Sequence, residues 1–179
     1  MDKIKFLVCG NVKAPQRKAG QDAGFDFFVP EYTPDFVEQM RNCNDRYIRY
    51  NYDASDESYS ICLQPGQDVK IPSLVRAYIP SDQCLLLVNK SGVALKQKLS
   101  VGACLVDSSY EGIIHLHMFN IGTEVTHIKF GQKLVQAVPY LINNQESEVF
   151  YETDISKEDF YKNHDHVRGD GGFGSTGLK

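Results

Sequence analysis

From Leu63 onward the chain is cut into short apolar runs by turn residues, and that punctuation limits what it can fold into. Val69-Lys70-Ile71, the run 75–79 and Cys84-Leu85-Leu86-Leu87-Val88 are each too short for a helix, and Pro65-Gly66, Pro72 and Pro80-Ser81-Asp82 stand at their ends. Proline in mid-strand removes a ladder hydrogen bond, so its confinement to run ends suits strand termini. Residues 113–119 alternate strictly, with Ile114, Leu116 and Met118 on one face and His115 and His117 on the other. Phe130-Gly131-Gln132 reads as a turn leading into another strand that ends at Pro139. Strands at this spacing predict an all-β sandwich or barrel.

The first sixty residues are less uniform. Residues 4–8 predict a strand, and Phe25-Asp26-Phe27-Phe28 a second, with Phe25 and Phe27 sharing a face opposite Asp26. Thr33-Pro34 is an N-cap and first-turn pair, and Phe36, Val37 and Met40 recur at helical spacing, which predicts a short helix over 34–40. Tyr47, Ile48, Tyr50 and Tyr52 suggest a strand that returns as residues 60–63 after a polar turn. Their tyrosines, with Tyr59, either cover a core edge or face a partner. Ser156 to Tyr161 carries N-cap chemistry for one helical turn.

At 179 residues the chain is expected to form one domain with a sizeable core. A net charge of −4 leaves no electrostatic footprint for direct nucleic-acid binding. No stretch reaches the length of a membrane span, and no signal peptide is expected. Five cysteines, odd in number and without a C-x-x-C pair, favour a reduced cytoplasmic or nuclear setting (host cytoplasm if virus-encoded).

Five stretches could carry chemistry. Asp26 between aromatic residues is either a turn acid or a site group. Lys90-Ser91-Gly92 after a strand can cradle phosphate or make an ordinary turn. Asp107 closes an apolar run, where partial shielding suits a general base, although Asp-Ser also makes turns. His115 and His117 could ligate a metal, but no third ligand is near in sequence. Finally, Arg168 to Gly177 gathers five glycines, an arginine, Phe173, Ser175 and Thr176 in ten residues. Glycine lets backbone N–H groups approach an anion, and arginine offers a planar fork for phosphate. No Gly-Lys-[Ser/Thr] follows, so this is not a Walker A loop. It reads as a flexible C-terminal arm that phosphates would order.

In order along the chain, five blocks resemble the motifs of the homotrimeric dUTP pyrophosphatase (dUTPase) family. Ala23-Gly24-Phe25-Asp26 is similar to Ala-Gly-Tyr-Asp, and Lys90-Ser91-Gly92-Val93-Ala94 to Arg-Ser-Gly-Leu-Ala. The stretch 106–112 resembles Ile-Asp-x-Asp-Tyr-x-Gly, and 131–136 resembles Gly-x-Arg-Ile-Ala-Gln. Residues 168–177 match Arg-Gly-x-Gly-Gly-Phe-Gly-Ser-Thr-Gly without departure.

The resemblance implies a distorted jelly roll of the β-clip type over 1–163, with an insertion at about 31–60 holding the short helix. Residues 164–179 would form the arm. It also implies a homotrimer with shared active sites that hydrolyses dUTP to dUMP and pyrophosphate. That reaction limits uracil incorporation into DNA and supplies dUMP for dTMP synthesis. Asp107 would activate the water, with Mg²⁺ on the triphosphate and Asp26 reaching it through water. Lys90, Ser91, Gly92, Gln136, Arg168, Gly174, Ser175 and Thr176 would hold the phosphates. The backbone of Gly102, Ala103 and Cys104 would read the uracil edge, Tyr110 would pack on the deoxyribose, and Phe173 would stack on uracil.

The sequence departs from the pattern at Lys90 for arginine, Ser109 for the second acid and Cys104 for a hairpin glycine. Two alternatives accompany this assignment. One is a dCTP deaminase of the same fold. The other is a dUTPase with an added regulatory role, binding a protein partner through the 31–60 insertion.

Overall fold

A computed structural model of the chain describes residues 3–45, 47–142, 153 and 155–162. Residues Met1–Asn143 form one compact unit, where the sequence placed the boundary at 163, and Asn144–Lys179 form a second. In the second unit, Ser156 caps the short helix α3 (Lys157–Tyr161) by accepting from the Asp159 N–H at 3.1 Å. The arm at 164–179 lies outside the described residues.

The first unit is built from antiparallel strands, as the punctuation predicts. Strand β1 (Lys5–Val8) pairs with β6 (Val75–Tyr78). A four-stranded sheet runs in the order β2 (Phe25–Phe28), β12 (Lys133–Leu141), β7 (Gln83–Asn89), β9 (Leu105–Val106). A second sheet sets β10 (His115–Asn120) between β5 (Asp68–Pro72) and β8 (Leu99–Val101). A third sets β4 (Ser58–Leu63) between β11 (Thr126–Lys129) and β3 (Arg49–Asp53).

One core draws on all of them. Phe27, Ile61, Ile71, Leu85, Leu87, Leu116, Met118, Ile128 and Leu134 belong to the same buried cluster. Each such side chain contributes roughly 1.5–3 kcal/mol by leaving water. Strand β10 shows the expected alternation, with Leu116 and Met118 buried and both histidines half-buried on the other face. Phe6 packs edge-on against Phe25 at 5.0 Å and Phe27 at 5.7 Å, so those two rings do share a face.

Helix α1 (Pro34–Cys43) begins as the sequence predicts and runs three residues past the expected end at Met40. The Thr33 hydroxyl accepts from the Phe36 N–H at 3.1 Å, and Pro34 occupies the first turn, where a missing N–H is harmless. Phe36, Val37 and Met40 are buried, and Phe36 and Met40 join the main core. The inserted segment is therefore part of the domain's interior. Its tyrosines divide: Tyr50 stacks on Phe130 and Tyr32 on Tyr59, while Tyr47 and Tyr52 stay exposed.

Strand β11 was not foreseen, and among the helices one was not. After β7 the chain forms helix α2 (Ser91–Gln97), where the sequence suggested a turn. None of its residues is fully buried, so it lacks the apolar periodicity by which a helix is recognised.

Because Met40 is fully buried, Met40→Ala should destabilise the whole unit by about 2–5 kcal/mol in denaturant unfolding. A single transition shifted by that amount is expected. An unchanged midpoint would show that the insertion folds apart from the core.

Candidate active site

The four-stranded sheet carries two groups of candidate residues. Gln136 on β12 faces Asp26 across β2 and Val88 across β7, so the first and fourth motifs lie in one row. Gly24 is needed there because a Cβ would stand 2.7 Å from the Gln136 side chain and 2.8 Å from the Ala137 carbonyl. The Gln136 amide donates to the Gly24 carbonyl at 3.5 Å. Strand β7 then ends at Asn89 and delivers Lys90, Ser91 and Gly92 into the first turn of α2, where backbone N–H groups lack intrahelical acceptors.

Asp26 is buried and forms ion pairs with two lysines, Lys133 at 2.8 Å and Lys90. Burial alone would raise its pKa. The hydrogen bonds from Lys133 and Lys90, together with their charges, outweigh burial and hold it below the ordinary value of 3.8. Its carboxylate thus serves as the counter-ion that fixes both lysines. Lys133 stands at the arginine position of the fourth motif, and the bulge between Lys133 and Val135 accompanies its turn toward Asp26.

The second group surrounds the segment that joins β8 to β9, the hairpin of the sequence reading, whose two strands lie in different sheets. A cavity of 190 Å³ is lined by Leu87, Ala103, Leu105, Val106, Asp107, Tyr110, Ile114 and His115. Asp107 follows β9 directly and is exposed in the single chain, so the shielding expected for it is not supplied by its own subunit. The Tyr110 hydroxyl donates to the Ile113 carbonyl at 2.8 Å, and its ring lies where a Cβ on Gly112 would be, 2.4 Å away. The ring is therefore fixed across the cavity wall, and the third-motif glycine is explained.

The hairpin backbone is partly bonded within the chain. The Gly102 N–H donates to the His117 carbonyl at 2.8 Å, and the Ala103 N–H donates to His117 Nδ1 at 3.1 Å. Two N–H groups of the segment whose backbone was expected to read the uracil edge are thus bonded to β10. The Cys104 carbonyl also accepts from the Leu87 N–H at 2.7 Å, while its side chain is exposed. Ala103 also borders a larger cavity of 430 Å³, formed with Cys43, Asn44, Asp45, Asp68, Lys70, His115 and His117. The polar groups there are largely engaged with each other, as Asp68 with His117 and Asn44 with Lys70. Burial, aided by the Lys70 charge, lowers the His115 pKa, so that ring is neutral near pH 7.

The two groups lie far apart within one chain. Val106 pairs with Leu85, so Asp107 is level with Cys84, six residues before Lys90 on an extended strand. At about 3.3 Å per residue the separation is roughly 20 Å. Arg168, Phe173, Gly174, Ser175 and Thr176 lie outside the described residues. Among the described residues no three His, Cys, Asp or Glu side chains gather as a metal site, which includes the histidine pair on β10. The donor set suits a cation that arrives on phosphate oxygens better than one held in a protein cage.

Asp26→Asn leaves two lysines without their counter-ion and should cost about 1.5–3 kcal/mol at pH 7. A carboxyl group whose pKa is lowered on folding stabilises above its unfolded pKa and loses that contribution as pH falls through the folded one. The gap in unfolding free energy between parent and variant should hold constant above about pH 5 and close below about pH 4. A gap independent of pH would remove Asp26 from this role.

Comparisons with known proteins identify the family and the fold. The dUTPase family profile matches residues 52–177. The chain is 32% identical over 176 residues to the deoxyuridine 5'-triphosphate nucleotidohydrolase of Yarrowia lipolytica, covering 98% of this chain and 88% of that one. It is 31% identical over 124 residues to the Arabidopsis thaliana protein of the same name, covering 65% of this chain and 69% of that one. A variant dUTPase from phage 80alpha shares the fold, with a TM-score of 0.67 at 19% identity, over 97% of this chain and 98% of the other. Motifs, sheet order and relatives converge, and the chain belongs to the dUTPase family.

Proposed function

We infer that this protein hydrolyses dUTP to dUMP and pyrophosphate, a reading supported by relatives that are named deoxyuridine 5'-triphosphate nucleotidohydrolase. The observation that carries the reading is the placement of Asp107 and Tyr110 on the wall of a 190 Å³ cavity bordered by the hairpin at Ala103. Asp107 accepts a proton from water as the water oxygen bonds the α-phosphorus and the bond to the pyrophosphate oxygen breaks. General-base help of this kind is worth about 10²–10⁴ in rate. Tyr110, locked by its bond to Ile113, packs on the deoxyribose and excludes a 2′-hydroxyl. Asp26, paired to two lysines, would reach a triphosphate-bound Mg²⁺ through water, and the ion would supply charge neutralisation there. Lys90, Ser91, Gly92 and Gln136 hold the phosphates. Arg168, Gly174, Ser175 and Thr176 of the arm close over them, and Phe173 stacks on uracil.

A homotrimer with sites shared between subunits is the assembly that the family resemblance implies, and the separation within the sheet supports the sharing. Roughly 20 Å of strand between Asp107 and Lys90, with Lys90 held at Asp26, is too long for both to act on one phosphate chain. The base seat of one copy must therefore meet the phosphate seat of another. Leu95 (70% exposed), Leu105 (56%), Ile121 (68%) and Leu141 (59%) supply apolar surface for neighbouring copies to cover. For the insertion, exposed Tyr47 and Tyr52 support contact with a further protein, beyond its part in the core. The dCTP deaminase reading finds no support at Glu111, which is exposed in a turn that Arg76 holds by its carbonyl. Among the described residues no helix is long and apolar enough to cross a membrane.

Pyrophosphate release with Mg²⁺ should be selective for dUTP over dCTP, dTTP and UTP. Equal turnover of all four, or ammonia release from dCTP, would overturn the substrate assignment. Asp107→Asn should lose at least about 10²-fold in turnover while still binding dUTP. Shared sites are tested by mixing Asp107→Asn subunits with Ser91→Asp subunits, whose added charge repels phosphate. Random assembly makes three trimers in four mixed, each with one intact site of three, so about a quarter of parental activity should return. No recovery in verified mixed trimers would place the whole site within one chain.

A further inference from the structure

We propose that His117 is a positioning residue for base recognition, fixing the hairpin at Gly102 and Ala103 in the shape that selects the nucleobase. The inference rests on the reading that this hairpin seats the base.

Three contacts converge on the hairpin from this one residue. The His117 carbonyl accepts the Gly102 N–H at 2.8 Å, and ring Nδ1 accepts the Ala103 N–H at 3.1 Å. The imidazole also fills the space above Gly102, where a Cβ would stand 2.4 Å from Nδ1. The ring itself is held from two other sides. Phe119 packs against it with centroids 4.7 Å apart, and Nε2 lies 2.9 Å from Asp68 Oδ2 on the adjacent strand β5.

The bonds define the tautomer. Nδ1 accepts a backbone N–H and so carries no proton, which leaves Nε2 protonated and donating to Asp68. A carboxylate orients an imidazole, and the imidazole orients a backbone amide at the mouth of the base cavity. Neither the carboxylate nor the ring lines that cavity, so the effect on the base passes through the backbone. The misplacement of a hairpin by a fraction of an ångström alters every bond it makes to a base edge, whereas Asp107 lies beyond β9.

Phenylalanine at 117 keeps a ring but removes the acceptor, while glutamine keeps an acceptor that can bond Ala103 and a donor for Asp68. His117→Phe should raise KM for dUTP about tenfold, the equivalent of one hydrogen bond, and narrow selectivity over dCTP and dTTP by a similar factor. The turnover number for dUTP should change little, and His117→Gln should recover most of the KM and selectivity. Nitrogen NMR of labelled histidine in the parent protein should show an unprotonated Nδ1 at His117. Equal losses in both variants, or a fall in kcat at constant KM, would overturn the inference, as would a protonated Nδ1. Ala103→Val separates the two levels. If it raises KM while His117→Phe does not, the positioning role alone fails; if it leaves KM and selectivity unchanged, the base-seat reading fails and takes this inference with it.

Discussion

The antiparallel pairing of β9 along β7 is the constraint on which the functional geometry depends. By matching Val106 to Leu85, it sends Asp107 toward one end of the sheet while β7 carries Lys90 to the other. On the function proposed above, a chain arranged this way would hold two half-sites, each carried on paired strands, with Asp107 exposed and Asp26 buried. Exposure of Asp107 in the single chain is then a consequence of topology. The carboxylate can be shielded, as base catalysis favours, when another copy supplies the missing wall.

The phosphate half-site is organised by charge before any ligand arrives. Asp26 brings together Lys90 from the end of β7 and Lys133 from the start of β12, which are not neighbours in sequence or on one strand. Two cations so close would repel each other without the carboxylate between them. A buried ion pair is weak evidence for stability in itself, because desolvation opposes the Coulomb gain. Here its use is positional. Lysine lacks arginine's bidentate fork, so the departure at Lys90 costs the site directional recognition, and a fixed counter-ion restores some definition to a flexible point charge.

How much of this was legible in the sequence depends on the range of the interaction. Helix α1 could be read from Thr33-Pro34 and the spacing of Phe36, Val37 and Met40, because capping and amphipathicity are local. Strand β10 could be read from its alternation for the same reason. Helix α2 could not, since Ser91-Gly92 imitates a turn and no residue of the helix is fully buried to mark a period. Asp26 was found as a candidate by its motif, but its partners lie far along the chain, Lys90 being 64 residues away. Likewise, alternation placed His117 on the less buried face, yet nothing local points to Asp68, 49 residues distant. Sequence pattern nominated the candidate residues; only the register of the sheets shows which of them meet.

The insertion follows the same logic. A module added only for docking could hang from the domain by its ends, with a core of its own. This one places Phe36 and Met40 in the common core, and the residue that ends its helix grips a neighbouring strand. The Asn44 carboxamide donates to the Lys70 carbonyl at 2.9 Å and accepts the Lys70 N–H at 2.9 Å, satisfying both backbone groups as a paired strand would. Lys70 stands opposite His117 in the sheet register and two residues from Asp68 on the same face of β5. The insertion thus closes the exposed edge of the strand that orients His117. The segment is in this way joined through one strand to the backbone at Gly102 and Ala103, which His117 holds. Its presence in a dUTPase is consistent with support of the site from behind, whatever its exposed tyrosines also meet.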